Sequence, residues 1–150
     1  MAEPLAYFIS WRTYGTWLPG DARGWVDDAE TGIQEGDANR WLAAREQMKG
    51  EPVVLTISQR DVVEATIRKH CTIRGWELHA VNARTNHIHV VMTANLDDPN
   101  MVRDQFKAWC TRNLNEQFGR RIWWAGKGSC RWINDQEHLR NAIRYVLEGQ

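Results

Sequence analysis

The segment that most constrains the fold consists of two β-type stretches joined by a short polar turn. Trp76–Ala83 alternates apolar and polar residues, Arg84–Asn86 has the composition of a turn, and His87–Thr93 alternates again. We therefore predict two consecutive strands of one sheet. Alternation along the first strand places these residues on one face: Trp76, Leu78 and Ala80.

A helical pattern lies on each side of these strands. Ser58 and Asp61 form a capping-box pattern at the start of the first helix, and Gly75 ends it. Pro99 opens the second helix, which runs to about Phe118. The residues spaced for burial are Val62, Val63, Ile67 and Cys71 on the first helix, and Phe106, Trp109, Cys110 and Leu114 on the second.

The outer parts of the chain supply two more strands and a last helix. Ala6–Thr13 is rich in β-type residues, and Ile122–Trp124 predicts a short strand before a glycine-rich loop. Asn134 and Glu137 are predicted to cap a final helix that extends to Leu147.

The resulting order, β-α-β-β-α-β-α, predicts an α+β fold. Its first six elements match the ferredoxin-like split βαβ pattern, a four-stranded antiparallel sheet with two helices on one face. An additional C-terminal helix carries Tyr145. We expect a single domain over residues 1–150, with an acidic insertion at about residues 20–55 that contains a helix at Ala38–Met48.

Charge is unevenly distributed although the formal net charge is zero. Asp21–Glu51 contains eight acidic and four basic residues, whereas Met101–Arg131 contains seven basic and two acidic residues. A localised basic segment favours an anionic partner, and a solvated charged face is the alternative. The three cysteines lack metal-site spacing, and no signal peptide or membrane-spanning run is visible, so we expect a cytoplasmic protein without a membrane partner.

Two histidines separated by one residue are candidate metal ligands. Strand alternation places His87 and His89 on one face, about 7 Å apart along the strand, within reach of one cation. Ile88 and Val90 on the other face would fix the strand against a helix. Two histidines on a half-exposed strand without a ligand are the alternative interpretation.

Tyr145 is a candidate nucleophile on the final helix. Leu139, Ile143, Val146 and Leu147 form its apolar stripe, and at 100° per residue Tyr145 lies about 130° from the centre of that stripe. A phenol is a poor nucleophile at neutral pH, but a divalent metal on a phosphate makes the phosphorus easier to attack. A tyrosine–phosphate bond would keep the energy of the broken bond, so rejoining needs no ATP.

These residues resemble those of a known family. NHIHVVM, the late tyrosine in AIRYVLEGQ and the opening YFISWRTYGTWLPGDARGW resemble the HUH single-tyrosine transposases, and in particular the REP-associated tyrosine transposases. The resemblance implies a ferredoxin-like domain, Mg²⁺ or Mn²⁺ as cofactor, and single-stranded DNA with hairpin ends as partner. It also implies that His87 and His89 bind the metal and that Tyr145 forms a 5′-phosphotyrosine and leaves a free 3′-hydroxyl.

The chain departs from the family at the third metal ligand. The family has a polar ligand four positions after the tyrosine, where this chain has Gly149. Gln150 matches the amide type of the family's ligand and is the residue we favour. Glu148, whose carboxylate suits a hard cation, is the alternative.

DNA contacts and assembly are predicted in outline. The candidate phosphate-binding residues are Arg12, Arg84, Arg103, Lys107, Lys127 and Arg131, and the tryptophans that could stack on unpaired bases are Trp17, Trp25 and Trp132. A DNA-processing role implies association with the nucleoid. The resemblance is compatible with a monomer or a homodimer.

Two other functions compete with strand transfer. The first is a hairpin-binding protein derived from a transposase, without transposition activity. The second is a metallohydrolase in which His87 and His89 act with a carboxylate to activate water. We rank the hydrolase last because the sequence has neither HExxH nor a third histidine at useful spacing.

Overall fold

The computed structural model describes residues 4–26 and 32–148. These residues form the following helices and strands in chain order: β1 (Ala6–Arg12), β2 (Trp25–Val26), β3 (Ile33–Gln34), α1 (Ala38–Glu46), α2 (Ile57–Arg74), β4 (Glu77–Ala83), β5 (His87–Thr93), α3 (Pro99–Phe118), β6 (Ser129–Ile133) and α4 (Gln136–Glu148).

The four longer strands form one sheet in the order β4-β5-β1-β6, and every neighbouring pair is antiparallel. This is the strand order of the split βαβ pattern, so the predicted fold class is confirmed. The central strands β5 and β1 are joined along their whole length, from Tyr7 opposite Met92 to Arg12 opposite His87.

Helices α2 and α3 cover one face of the sheet and bury the main core. Ile67 of α2 and Phe106 of α3 are fully buried against strand residues such as Ile9 and Val90. Trp109 was predicted to be buried, but it is 42% exposed, with the Arg112 guanidinium 5.1 Å from its ring. No helix in the described residues is long and apolar enough to cross a membrane.

The start of α2 differs from the prediction. Thr56 and Gln59 form the capping box, two positions before the predicted pair, Ser58 and Asp61. The Thr56 hydroxyl accepts a hydrogen bond from the Gln59 backbone N–H, and the Gln59 side chain accepts one from the Thr56 backbone N–H. Gly75 ends the helix in the left-handed conformation, as predicted.

A β-bulge in β4 overturns one predicted side-chain orientation. The register between β4 and β5 shifts between Leu78 and Ala80, so strict alternation fails at that point. Leu78 packs against the main core, whereas Ala80 belongs to a second cluster on the opposite face.

The last strand is not where the sequence placed it. Ile122–Trp124 forms no strand, and its only sheet-like contact within the described residues is an isolated bridge from Trp124 to Thr13. The two tryptophans there are held by hydrogen bonds from their indole N–H groups to α3. Trp123 donates to the Asn115 side chain, and Trp124 donates to the Lys107 carbonyl. The fourth strand is Ser129–Ile133, which pairs with β1.

Helix α4 covers the opposite face of the sheet. Ala142 and Val146 are buried in a second cluster with Val91 of β5. The helix is capped by Asp135 rather than by Asn134, because the Asp135 carboxylate accepts a hydrogen bond from the backbone N–H of His138. Leu147, predicted in the apolar stripe, is 57% exposed.

The described part of the acidic segment contacts the turn after β1, where the Lys49 backbone N–H donates to the Tyr14 hydroxyl, and then returns to the sheet. Helix α1 lies within the predicted helical range and begins after Asp37, whose carboxylate accepts two backbone N–H groups. The returning chain buries Val53 and Leu55 in the main core, so this end of the segment helps to stabilise the sheet.

Candidate active site

The candidate site lies on the α4 side of the sheet, across β5 and β1. Ile88 is buried in the main core, so alternation turns His87 and His89 to the α4 side, as predicted. Their ring centroids are 4.7 Å apart. In the register of the sheet, Ser10 lies opposite His89 and Arg12 lies opposite His87.

Tyr145 lies at the edge of the packing surface of α4, beside one of the histidines. The neighbouring residue Val146 is fully buried, whereas Tyr145 is 48% exposed. The Tyr145 ring centroid is 5.7 Å from that of His89 and 6.0 Å from that of Phe8. Tyr145 is therefore outside the buried stripe, as predicted, and faces the histidine strand of its own chain.

A hydrogen bond from Asn82 of the sheet holds the last turn of α4, which carries Tyr145, against the sheet. The Asn82 side-chain amide donates a hydrogen bond of 2.9 Å to the carbonyl of Val146. Asn82 lies opposite His89 in the register of β4 and β5. The residue opposite His89 in the sheet therefore also holds the helix turn that carries Tyr145.

The two histidines are held in different ways. Nδ1 of His87 is 2.7 Å from the side-chain oxygen of Asn86, which only accepts hydrogen bonds. Nδ1 of His87 is therefore the donor, and Nε2 carries the lone pair that a metal ligand needs.

His89 is half-buried, and its surroundings favour the neutral ring. Partial burial is the largest cause that lowers its pKa from 6.5 to about 4, and the nearby His87, when protonated, and the guanidinium groups of Arg12 and Arg84 lower it further. Its Nδ1 is buried and has no hydrogen-bond partner among the described residues. A buried ring nitrogen without a partner is unfavourable unless something else occupies it.

A pocket of about 270 Å³ opens between these elements. It is lined by His87, His89 and Tyr145, and by Ser10, Arg12, Trp17 and Asn86. The site thus combines two imidazoles, a phenol and a guanidinium. No three His, Cys, Asp or Glu side chains cluster as a metal site in the described part of the chain.

Two of the six predicted phosphate-binding residues lie close to the histidines. Arg12 lines the pocket, and Arg84, in the turn before β5, is near enough to lower the pKa of His89. Arg131 of β6 lies opposite Phe8, on the same face of the sheet, and is exposed.

Two other predicted residues lie on α3, across the sheet from the pocket. The Arg103 guanidinium contacts the Asp104 carboxylate at 3.2 Å and donates to the Asn100 side chain. The Lys107 ammonium donates to the carbonyls of Ala125 and Lys127. The Lys107 contacts hold the loop before β6, and DNA binding by Arg103 or Lys107 stays a prediction.

The remaining candidates are dispersed. Lys127 is exposed in the loop before β6. Glu148 is exposed at the end of α4, whereas Gly149 and Gln150 lie outside the described residues. Of the three candidate stacking residues, Trp17 lines the pocket, Trp132 is 55% exposed, and Trp25 is buried.

Sequence reasoning missed Ser10, Asn82 and Asn86. The signal for Asn86 was its position next to His87 in a turn. Ser10 and Asn82 become visible only when the register that sets them opposite His89 is known.

Comparison with known proteins places the fold. No family model and no curated protein sequence matches the chain. The structure of a REP-associated tyrosine transposase bound to a REP hairpin is similar, with a TM-score of 0.53 and 11% identity over 97% of this chain and 68% of that one. A structure of a candidate transposase from Deinococcus radiodurans R1 has a TM-score of 0.47 and 18% identity over 100% of this chain and 93% of that one. The chain therefore has the fold of a REP-associated tyrosine transposase, and the resemblance noted in the sequence is confirmed for the fold.

Proposed function

We propose that this protein is a metal-dependent tyrosine transposase that cleaves and rejoins single-stranded DNA through Tyr145. The observation that carries the proposal is the placement of the Tyr145 ring 5.7 Å from His89, with His87 a further 4.7 Å away, around one pocket. The fold shared with a REP-associated tyrosine transposase supports the same function.

His87 and His89 would hold a divalent metal ion, Mg²⁺ or Mn²⁺. Both rings suit the role, because Asn86 fixes the tautomer of His87 and burial keeps His89 neutral, with one nitrogen that has no partner among the described residues. Gln150 is the proposed third ligand, with Glu148 as the alternative. When bound, the ion would neutralise charge on the phosphate and favour attack at phosphorus.

The chemistry at Tyr145 is a transesterification. The phenolic oxygen forms a bond to the phosphorus, and the bond from phosphorus to the 3′-oxygen of the preceding nucleotide breaks. The departing oxygen takes up a proton, which balances the one that the phenol loses, and leaves as a free 3′-hydroxyl. The 5′-phosphate stays on Tyr145, and attack by a 3′-hydroxyl reverses the step and rejoins the strand.

Single-stranded DNA with a hairpin end is the proposed substrate. The similar transposase was solved bound to a REP hairpin. In this chain, Arg131 lies on the same side of the sheet as the pocket and Arg84 lies near His89, so both can contact phosphates next to the cleaved bond. Arg103, Lys107 and Lys127 would bind DNA on the α3 side.

A cleavage assay on a labelled single-stranded oligonucleotide with a hairpin end, in Mg²⁺, tests the proposal. We expect a covalent protein–DNA adduct that Tyr145→Phe abolishes and that chelation or His89→Ala strongly reduces. Tyr7→Phe is the matched control, because it also removes one hydroxyl, which donates to the Asp97 carbonyl on the main-core side. Binding without an adduct would refute the proposal and leave a hairpin-binding protein, and cleavage that survives Tyr145→Phe would indicate water as the nucleophile.

The tyrosine and the histidines belong to one chain, so one chain holds both parts of the proposed site. A mixture of Tyr145→Phe and His89→Ala proteins should therefore stay inactive. Recovery of adduct formation in the mixture would mean that α4 acts on the histidines of a second copy, as a homodimer would allow.

A further inference from the structure

Arg12 is a charged side chain in the pocket whose partner is a tryptophan rather than an acid. Its guanidinium carbon lies 4.1 Å from the Trp17 ring. No carboxylate within residues 4–26 and 32–148 forms an ion pair with it. A stacked guanidinium keeps its in-plane N–H groups available for an anion.

A second positive charge lies beside this one. The Arg23 guanidinium carbon is 3.8 Å from the same Trp17 ring. Burial, and then Arg23, lower the pKa of Arg12, so both work against its charge. The Trp17 ring attracts each guanidinium, but the two positive charges repel each other, and an anion in the pocket would offset that repulsion at Arg12.

The turn after β1 holds this arrangement rigidly. The Trp17 indole N–H donates to the Gly24 carbonyl at 2.6 Å. Arg23 is fixed by Asp21, with contacts of 2.7 and 2.8 Å, and donates to the Thr16 carbonyl at 2.8 Å. The negative charge of Asp21 is thus directed to Arg23, and Arg12 is left for the pocket.

We propose that Arg12 binds the non-bridging oxygens of the phosphodiester that Tyr145 attacks, and that Trp17 holds Arg12 in position. The role rests on the proposed function and adds to it a catalytic residue that touches the reacting phosphate. Arg12 neither gains nor loses a proton, and its positive charge stabilises the additional negative charge on those oxygens in the transition state. Lysine would supply the charge without the planar pair of donors.

The first test compares adduct formation in single turnovers by Arg12→Ala, Arg12→Gln and wild type. We expect each variant to slow the reaction by about 100-fold or more, as for the loss of one oxyanion donor. Arg112→Ala is the matched control, because Arg112 also stacks on a tryptophan but lies on α3, away from the pocket, and it should keep the wild-type rate. An Arg12→Gln rate equal to wild type would refute the role.

The second test removes the charge from the DNA. A methylphosphonate replaces one non-bridging oxygen of the cleaved phosphate by an uncharged methyl group. If Arg12 contacts these oxygens, the difference between wild type and Arg12→Ala should shrink to less than about tenfold on this substrate. The same ratio on both substrates would indicate a merely structural role for Arg12 and overturn the proposal.

A binding measurement separates this proposal from the proposed function. In the Tyr145→Phe background, we measure affinity for oligonucleotides that carry a methylphosphonate at each position next to the hairpin. At one position, Arg12→Ala should weaken binding of the phosphodiester but not of the methylphosphonate. If one position behaves in this way but the wild-type protein forms no covalent adduct, the proposed cleavage is refuted and the phosphate-binding role of Arg12 stands. If no position behaves in this way, the phosphate-binding role of Arg12 is refuted. Trp17→Leu should weaken binding of the phosphodiester by part of the amount that Arg12→Ala does. Trp17→Phe, which keeps an aromatic ring, should bind as tightly as the protein with Trp17.

Discussion

Replacement of Gly128 by alanine tests how the loop before β6 supports the candidate site. Gly128 has a φ of +147°, and an added Cβ would lie 2.6 Å from the Ser10 carbonyl oxygen and 3.1 Å from Cβ of Trp11. Neither atom is the flexible end of a side chain, so the backbone must move. The strained φ costs about 1–3 kcal/mol and the overpacking a similar amount, so we expect the free energy of unfolding to fall by about 2–6 kcal/mol.

Gly126→Ala is the matched control for this prediction. Gly126 lies in the same loop, has no positive φ, and nothing lies within 4 Å of the place that an added Cβ would occupy. Its substitution should change the free energy of unfolding by less than about 0.5 kcal/mol. Urea denaturation followed by tryptophan fluorescence measures both values. Equal stabilities of the two variants would show that the loop does not press on β1, and the reasoning would fail.

Three further substitutions test the electrostatics, the main core and the placement of α4. Asp21→Asn should lower the free energy of unfolding by about 1 kcal/mol at pH 7. The loss is small because Arg23 is half exposed and water weakens its ion pair with Asp21. Since Arg23 lowers the pKa of Asp21 from 3.8 to about 2, this contribution is present above pH 3.8 and lost as pH falls through 2. The denaturation curves of variant and wild type should therefore converge in that interval, and a constant difference would contradict the assignment. Phe106→Ala should cost about 3–5 kcal/mol in urea denaturation, whereas the exposed Phe118→Ala should cost under about 1 kcal/mol. Asn82→Ala should cost about 1 kcal/mol and speed amide hydrogen exchange in the last turn of α4 more than in α2, and unchanged exchange there would argue against the role of this hydrogen bond.

Much of the fold could be predicted because hydrophobic periodicity and end signals agreed. His87–Thr93 and Pro99–Phe118 were predicted with the bounds that the structure has. Alternation failed at Ala80, because a bulge adds one residue to a strand without changing its composition. The prediction of a strand at Ile122–Trp124 failed because aromatic residues favour strands, although these tryptophans pack by their side chains.

The candidate site was predictable where it depends on local periodicity and not where it depends on pairing between distant strands. His87 and His89 follow from alternation, and Tyr145 follows from the helical wheel. The positions of Ser10 and Asn82 follow from the register of three strands, which the sequence does not specify residue by residue.

The pairing of β1 with β6 has a consequence for the order in which the protein is assembled. Ala6 pairs with Ile133, so β1 is translated before the other three strands of its sheet but gains its second neighbour, β6, only after all of them have been made. Such distant pairing closes a long loop and slows folding. A nascent chain that has not passed residue 128 carries the histidines but neither β6 nor Tyr145, and the two halves of the candidate site can therefore meet only after α4 has been synthesised.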